Sequence, residues 1–128
     1  YVKAIVDAIK DEPGLLMWDV MNEPFTNAYY GNASDQEKLP RREEITSFVR
    51  YDLFEVKKLD AVNAVTVGYT LSSQLEPTAD SVDVLSFHDY SASRSNIEAA
   101  YQAAEIVSGK FGKPILNTET SCIARANP

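Results

Sequence analysis

Apolar residues recur along this chain with two different periods. Val2, Ile5, Val6 and Ile9 stand three and four apart, the spacing of one helix face, and Pro13-Gly14 closes that helix. Leu15 to Asn22 is a mostly apolar run and reads as a buried strand; Pro24 stops its ladder because proline has no N–H to donate. Phe25 to Leu39 is a polar loop holding Tyr29, Tyr30, Gly31 and Asn32. At about 15 residues it is at the upper limit for a structureless loop, and loops of that length are usually functional.

Pro40 opens a long helix whose apolar stripe is Ile45, Phe48, Val49, Leu53, Val56 and Leu59. Ala64 to Val67 is a short strand ending at Gly68. Leu71 to Asp80 is broken at Glu76-Pro77 into a turn and a short helix. Val82 to Phe87 is a third strand, running out into His88-Asp89-Tyr90. Ser95-Asn96-Ile97-Glu98 fits a capping box, and the helix behind it carries Ile97, Tyr101, Ala104, Val107 and Phe111. Gly112 and Pro114 turn the chain into a fourth strand that ends at Glu119.

The order is therefore helix, strand, helix, strand, short helix, strand, helix, strand. The strands read as continuous apolar runs, as parallel strands covered on both faces do. The fold class is α/β, either an open doubly wound sheet or an arc of a (β/α)8 barrel.

Composition narrows the function more than the fold. The chain has 128 residues, one domain at most, and its 45% hydrophobic content suffices for a core. A net charge of −7 argues against nucleic acid or an anionic membrane as partner, since either needs a basic surface. No apolar segment approaches the roughly 18 residues of a membrane span, and no signal peptide is visible. With one cysteine, Cys122, no intramolecular disulfide forms and the compartment stays open.

The chemistry gathers where the strands end. Glu23, His88, Tyr90 and Glu119 all lie at or just past the carboxyl end of a strand, where active sites of both architectures sit. Two facing carboxyl groups, one protonated and one ionised, are what glycoside cleavage needs. Taken singly, each residue has a plainer reading. A glutamate after a strand is more often solvated, a lone histidine is more often structural, and Tyr29 and Tyr30 pack a loop as readily as they stack on a sugar. Asp89 has opposite strand parity to His88 and Tyr90 and points away from the site. Asp19 shares parity with Glu23 and points toward it, and a buried carboxylate there needs a partner that no basic residue of the four strands supplies. Cys122 reads as an inert thiol in the site wall.

Taken together, these motifs resemble a known family. Trp18-Asp19-Val20-Met21-Asn22-Glu23-Pro24 is similar to the fourth-strand motif of clan A glycoside hydrolases, most like family 5. His88-Asp89-Tyr90 resembles their sixth-strand His-x-Tyr, and Asn117-Thr118-Glu119 the end of their seventh strand. The resemblance covers essentially the whole chain and half of the family's eight-stranded barrel of about 250 residues. It implies a partial (β/α)8 barrel, strands four to seven, as a single partial catalytic domain spanning 1–128.

The resemblance also implies a retaining glycosidase acting on a β-linked oligo- or polysaccharide. Glu23 would be the acid/base, held protonated by desolvation and by the charge of Glu119, and Glu119 would be the nucleophile. Asn22 would bind the sugar 2-hydroxyl, His88 would orient the acid/base or bind the glycone, and Tyr90 would touch the nucleophile or the sugar. No cofactor and no metal is called for. Action on polysaccharide would place the protein outside the cell or in the periplasm.

Two other readings compete. One is a metal-dependent barrel enzyme with Glu23, His88 and Glu119 as ligands, since two carboxylates and an imidazole suit such a site. The other is a non-catalytic open α/β module, for which no phosphate-binding loop or phospho-acceptor cluster is found. In a flat sheet the backbones of Glu23 and Glu119, three strands apart, would stand roughly 14 Å apart, so a retaining pair requires curvature. Open sheet edges and a bare apolar inner face favour self-association of the chain.

Overall fold

The computed structural model describes residues 1–121. Its elements are α1 (Val2–Ile9), β1 (Met17–Asn22), α2 (Ala28–Gly31), α3 (Asp35–Leu59), β2 (Ala64–Tyr69), two single 3-10 turns (Ser72–Gln74 and Glu76–Thr78), β3 (Leu85–Asp89), α4 (Arg94–Phe111) and β4 (Ile115–Thr120). The four strands form one sheet in sequence order, every pair parallel. All four carboxyl ends therefore lie on one rim. The expected α/β class and parallel strand order hold.

The strands alternate rather than run apolar throughout. Val65, Val67 and Tyr69 of β2, with Leu85 and Phe87 of β3, are fully buried in one core with Ile45, Val49, Leu53 and Val56 of α3 and Ala104 and Val107 of α4. Each such side chain contributes about 1.5–3 kcal/mol when taken wholly from water. The intervening residues, Thr66, Gly68, Ser86 and His88, turn to the other face, so that face is small and polar where an apolar one was expected. Leu116, beside Ser86, and Met17, beside Ala64, are apolar exceptions on that face.

Side chains pin the amino ends of the strands. Asp83 accepts the Val65 N–H (3.0 Å) and pairs with Lys57 of α3 (2.7 Å). Asp60, just past α3, accepts the Trp18 indole N–H (2.8 Å) and the backbone N–H of Val62 and Asn63, both at 3.0 Å. Helix α3 is thereby tied to β1 and β2 together.

Two helix starts differ from expectation. Helix α3 begins at Asp35, so Pro40 lies inside it, and part of the expected loop is helical. The signal was Ser34-Asp35-Gln36-Glu37: the Glu37 carboxylate takes the Ser34 N–H (2.9 Å) and hydroxyl (2.6 Å), an N-terminal clasp firm enough to carry one missing ladder bond at Pro40. Those bonds hold the Glu37 carboxyl down at about 2. Helix α4 begins at Arg94, ahead of the expected cap, because Ser93 rather than Ser95 accepts the Asn96 N–H (3.3 Å). Gly112, at φ +65°, ends α4 in the left-handed conformation that glycine adopts most readily.

Candidate active site

The rim carries two register breaks, one before each glutamate. β1 and β2 pair regularly from Met17↔Ala64 to Asp19↔Thr66, then resume at Asn22↔Gly68. β3 and β4 pair regularly to Phe87↔Asn117, then resume at His88↔Glu119. A bulge bends the strand and re-aims the side chains beyond it, and such breaks concentrate beside active sites. Simple alternation does not survive either break. Asp19 and Asn22, of opposite parity, pair with Thr66 and Gly68, which share a face.

Glu23 sits immediately past β1 at φ +45°, a left-handed backbone that is rare for any residue bearing a side chain and disfavoured before proline. Neighbouring bonds hold it there. Its N–H donates to the Gly68 carbonyl (2.7 Å), and its own carbonyl accepts the Thr26 N–H (3.0 Å) and hydroxyl (2.8 Å). Pro24 and Phe25 follow, both buried. The backbone is thus over-determined around one strained residue, the circumstance in which such strain persists.

The turn delivers the Glu23 carboxylate to His88. The His88 ring is 3% exposed, and its Nδ1 lies 2.8 Å from Glu23 Oε1 and 3.5 Å from Glu119 Oε2. Tyr90 donates its hydroxyl to Glu119 Oε2 (2.8 Å). That bond to Glu119, with some desolvation, raises the Tyr90 phenol above its ordinary value and keeps it a donor. One donor atom from each of Glu23, His88 and Glu119 lies within 4.8 Å of the others. The three side chains thus converge at one point of the rim.

Asn22 is exposed on the same rim beside Gly68. Asp89 is buried and accepts the Ser91 N–H (2.9 Å), outside the cluster, as parity requires. Tyr29 and Tyr30 are occupied elsewhere: Tyr29 bonds Glu44 with the Arg41 guanidinium over its ring, and Tyr30 packs on Phe25 at 5.4 Å between centroids. Cys122 lies outside the described residues.

Asp19 finds its partners in the backbone rather than in an arginine. Its Oδ1 accepts the N–H of Gly68 (3.0 Å) and of Met21 (3.3 Å). Crowding by surrounding protein atoms outweighs those bonds and raises its carboxyl above the usual range, although the side chain stays open to water on one side. Neither Gly68 nor Thr26 stood out in the sequence. Gly68 carries no chemistry of its own, and Thr26 is an ordinary turn residue by composition.

Glu23, His88 and Glu119 together could hold a divalent cation, two carboxylates and an imidazole being a suitable donor set. Two donors ~2.1 Å from a tetrahedral ion stand roughly 3.4 Å apart. The 2.8 Å contact between His88 and Glu23 is closer than that, so an ion would have to part them. As it stands the pair is a direct hydrogen bond.

At the site the Glu119 side chain is open to water, the Glu23 side chain is half-buried and the His88 ring is buried. An apolar groove of about 390 Å³ runs along the outer edge of β1, between Trp18, Ile5 and Phe48, and reaches none of Glu23, His88 or Glu119. Its lining includes the carboxylates of Asp19 and Asp52. Among the described residues no helix is long and apolar enough to cross a membrane. No protein-family model, curated protein or solved structure matches the chain.

Proposed function

We propose that the chain is the catalytic half of a (β/α)8-barrel glycosidase of the clan A, family 5 type, and that it cleaves β-linked glycans with retention. The observation that carries this reading is the convergence of Glu23, His88 and Glu119 to within 4.8 Å at the carboxyl ends of parallel strands. Carboxyl groups of retaining pairs stand ~5–5.5 Å apart and those of inverting pairs ~6.5–9.5 Å, and carboxylate oxygens of Glu23 and Glu119 within 4.8 Å of each other support double displacement.

Glu119 attacks the anomeric carbon and forms a glycosyl-enzyme ester, while Glu23 gives its proton to the departing oxygen. Glu23 then takes a proton from the water that cleaves the ester. Tyr90 supports the Glu119 carboxylate until attack, and His88 fixes the Glu23 carboxyl. Asn22, exposed beside the pair, binds the sugar 2-hydroxyl.

A 2-deoxy-2-fluoro β-glycoside with an activated leaving group tests the assignment, because it traps the ester. Peptide mass analysis is expected to find the sugar on Glu119. A sugar on Glu23 reverses the roles, and inactivity of the full-length protein toward aryl β-glycosides, restored by a divalent cation, turns the reading toward the metal-dependent enzyme.

A further inference from the structure

Both backbone groups of Gly68 are spent on the bulged end of β1. Its N–H goes to Asp19 Oδ1 (3.0 Å) and its carbonyl takes the Glu23 N–H (2.7 Å). Asp19 spans the register break from within, because the same Oδ1 also takes the Met21 N–H (3.3 Å) on its own strand. The space over the Gly68 Cα is full. A Cβ there would lie 2.7 Å from Asp19 Oδ2 and 2.8 Å from His88 Nε2, closer than real Cβ contacts come. The other ring nitrogen of that histidine holds Glu23, at 2.8 Å. Glu23 is thus reached from Gly68 along two routes, its backbone through the carbonyl bond and its carboxyl through His88.

We propose that Asp19 and Gly68 are positioning residues that set where Glu23 places its carboxyl: Asp19 clips the bulge by accepting the Gly68 N–H, and the bare Gly68 Cα is the seat on which Asp19 and His88 rest. Neither residue needs to touch substrate. Asn at position 19 keeps an acceptor oxygen for both N–H groups, whereas Ala keeps none. Ala at position 68 fills the seat while leaving its N–H and carbonyl in place. The effect on turnover rests on the glycosidase reading; the positional claim does not.

The test compares D19N, D19A and G68A in the full-length protein, with kcat and KM on two aryl β-glycosides, one with a poor and one with an activated leaving group. The His88 ring ¹⁵N and ¹H signals, assigned through H88Q, give a second readout that needs no turnover. A carboxyl misplaced by ~1 Å slows the protonation step by roughly 100-fold. D19A and G68A are therefore expected to lower kcat/KM on the poor leaving group by at least ~30-fold and on the activated one by under ~3-fold, because ester formation from the activated one needs no proton; kcat and KM on the activated one fall together, because ester hydrolysis still uses Glu23 as base. D19N is expected to stay close to the parent on both substrates. The His88 signals should move in D19A and G68A and keep their places in D19N.

Equal losses of kcat/KM on both substrates in D19A, a D19N as impaired as D19A, or unmoved ring signals in folded D19A would overturn the proposal. If G68A does not fold, the D19A–D19N comparison decides. Should the parent protein cleave no glycoside, the glycosidase reading fails, and the ring signals alone judge the clip.

Discussion

His88 and Glu119 are register partners across β3 and β4, and they become partners only after the ladder slips by one residue. Before the slip Phe87 faces Asn117; beyond it the imidazole Nδ1 lies 3.5 Å from Glu119 Oε2 while bonded to Glu23 Oε1 at 2.8 Å. A buried ring touches both carboxylates and leaves them near enough to reach the two atoms of one bond. That geometry suits a pair in which one group gives a proton and the other an electron pair.

Replacing either glutamate with glutamine is expected to lower kcat by roughly 100- to 10,000-fold, by different routes. Loss of Glu119 removes the covalent step for every substrate. Loss of Glu23 removes only proton transfer, so substrates with activated leaving groups still form the ester, and azide, which attacks that ester without a general base, restores part of the lost turnover. Steady-state kinetics with and without azide separates them. A Glu119→Gln enzyme rescued like Glu23→Gln would show that the roles are misassigned.

Tyr90→Phe tests the support of Glu119 as the proposed nucleophile. The hydroxyl gives Glu119 its 2.8 Å bond, but the tyrosine is 46% exposed, so water can replace part of what is lost. With solvent discounted, a fall in kcat of about 10-fold is expected, with little change in melting temperature. A Tyr90→Phe enzyme with the parent's kcat would remove this tyrosine from the mechanism.

The element order was legible in the sequence because buried strands and amphipathic helices leave different periods, as Leu85 to Phe87 and Ile45 to Val56 do. The rim motifs were legible because Glu23, His88 and Glu119 each follow such a run. The re-aiming was not. A register break arises from pairing between strands and leaves no mark in the period of either, so parity alone cannot show that Asp19 and Asn22 come to share a face. The role of Gly68 was hidden for a related reason: what matters is the space its missing side chain leaves to Asp19 and His88. The start of α3 was legible in Ser34 and Glu37, which make the clasp, although Pro40 is the more conspicuous helix-start residue.

Self-association of the isolated 128-residue chain is expected, through a different apolar surface from the inner face that the strand pattern implied. The face that carries the site is largely polar, while Tyr1, Ile5, Phe48 and Tyr51 are exposed around the groove between α1 and α3. A second copy burying its own patch there is the simplest cover. Light scattering should show a mass above the monomer that falls toward it in Phe48→Ser/Tyr51→Ser. A monomeric parent chain at high concentration would reject this.

Asp60 gives the fold an acid-sensitive clamp. Its carboxylate accepts the Trp18 indole N–H at 2.8 Å, the Asn63 amide at 2.7 Å, and the backbone N–H of Val62 and Asn63, and the residue is 5% exposed. Bonds from Asn63, then from Trp18, hold its carboxyl far below the usual range. A group whose pKa is depressed on folding binds its proton more readily in the unfolded chain. Its stabilisation is therefore complete above the unfolded value of about 3.9 and is lost as pH falls from there toward the folded one. Asp60→Asn is expected to destabilise the protein at neutral pH by on the order of 2 kcal/mol, one charged acceptor becoming neutral. That deficit should shrink below about pH 4, where the parent loses the same charge in its unfolded state. The single tryptophan, Trp18, reports the clamp directly, so denaturant titrations followed by its fluorescence at about pH 7 and about pH 3, on either side of that unfolded value, provide the measurement. A deficit that stays constant across that range would mean that Asp60 acts through its shape alone, and the link between the clamp and acid stability would be wrong.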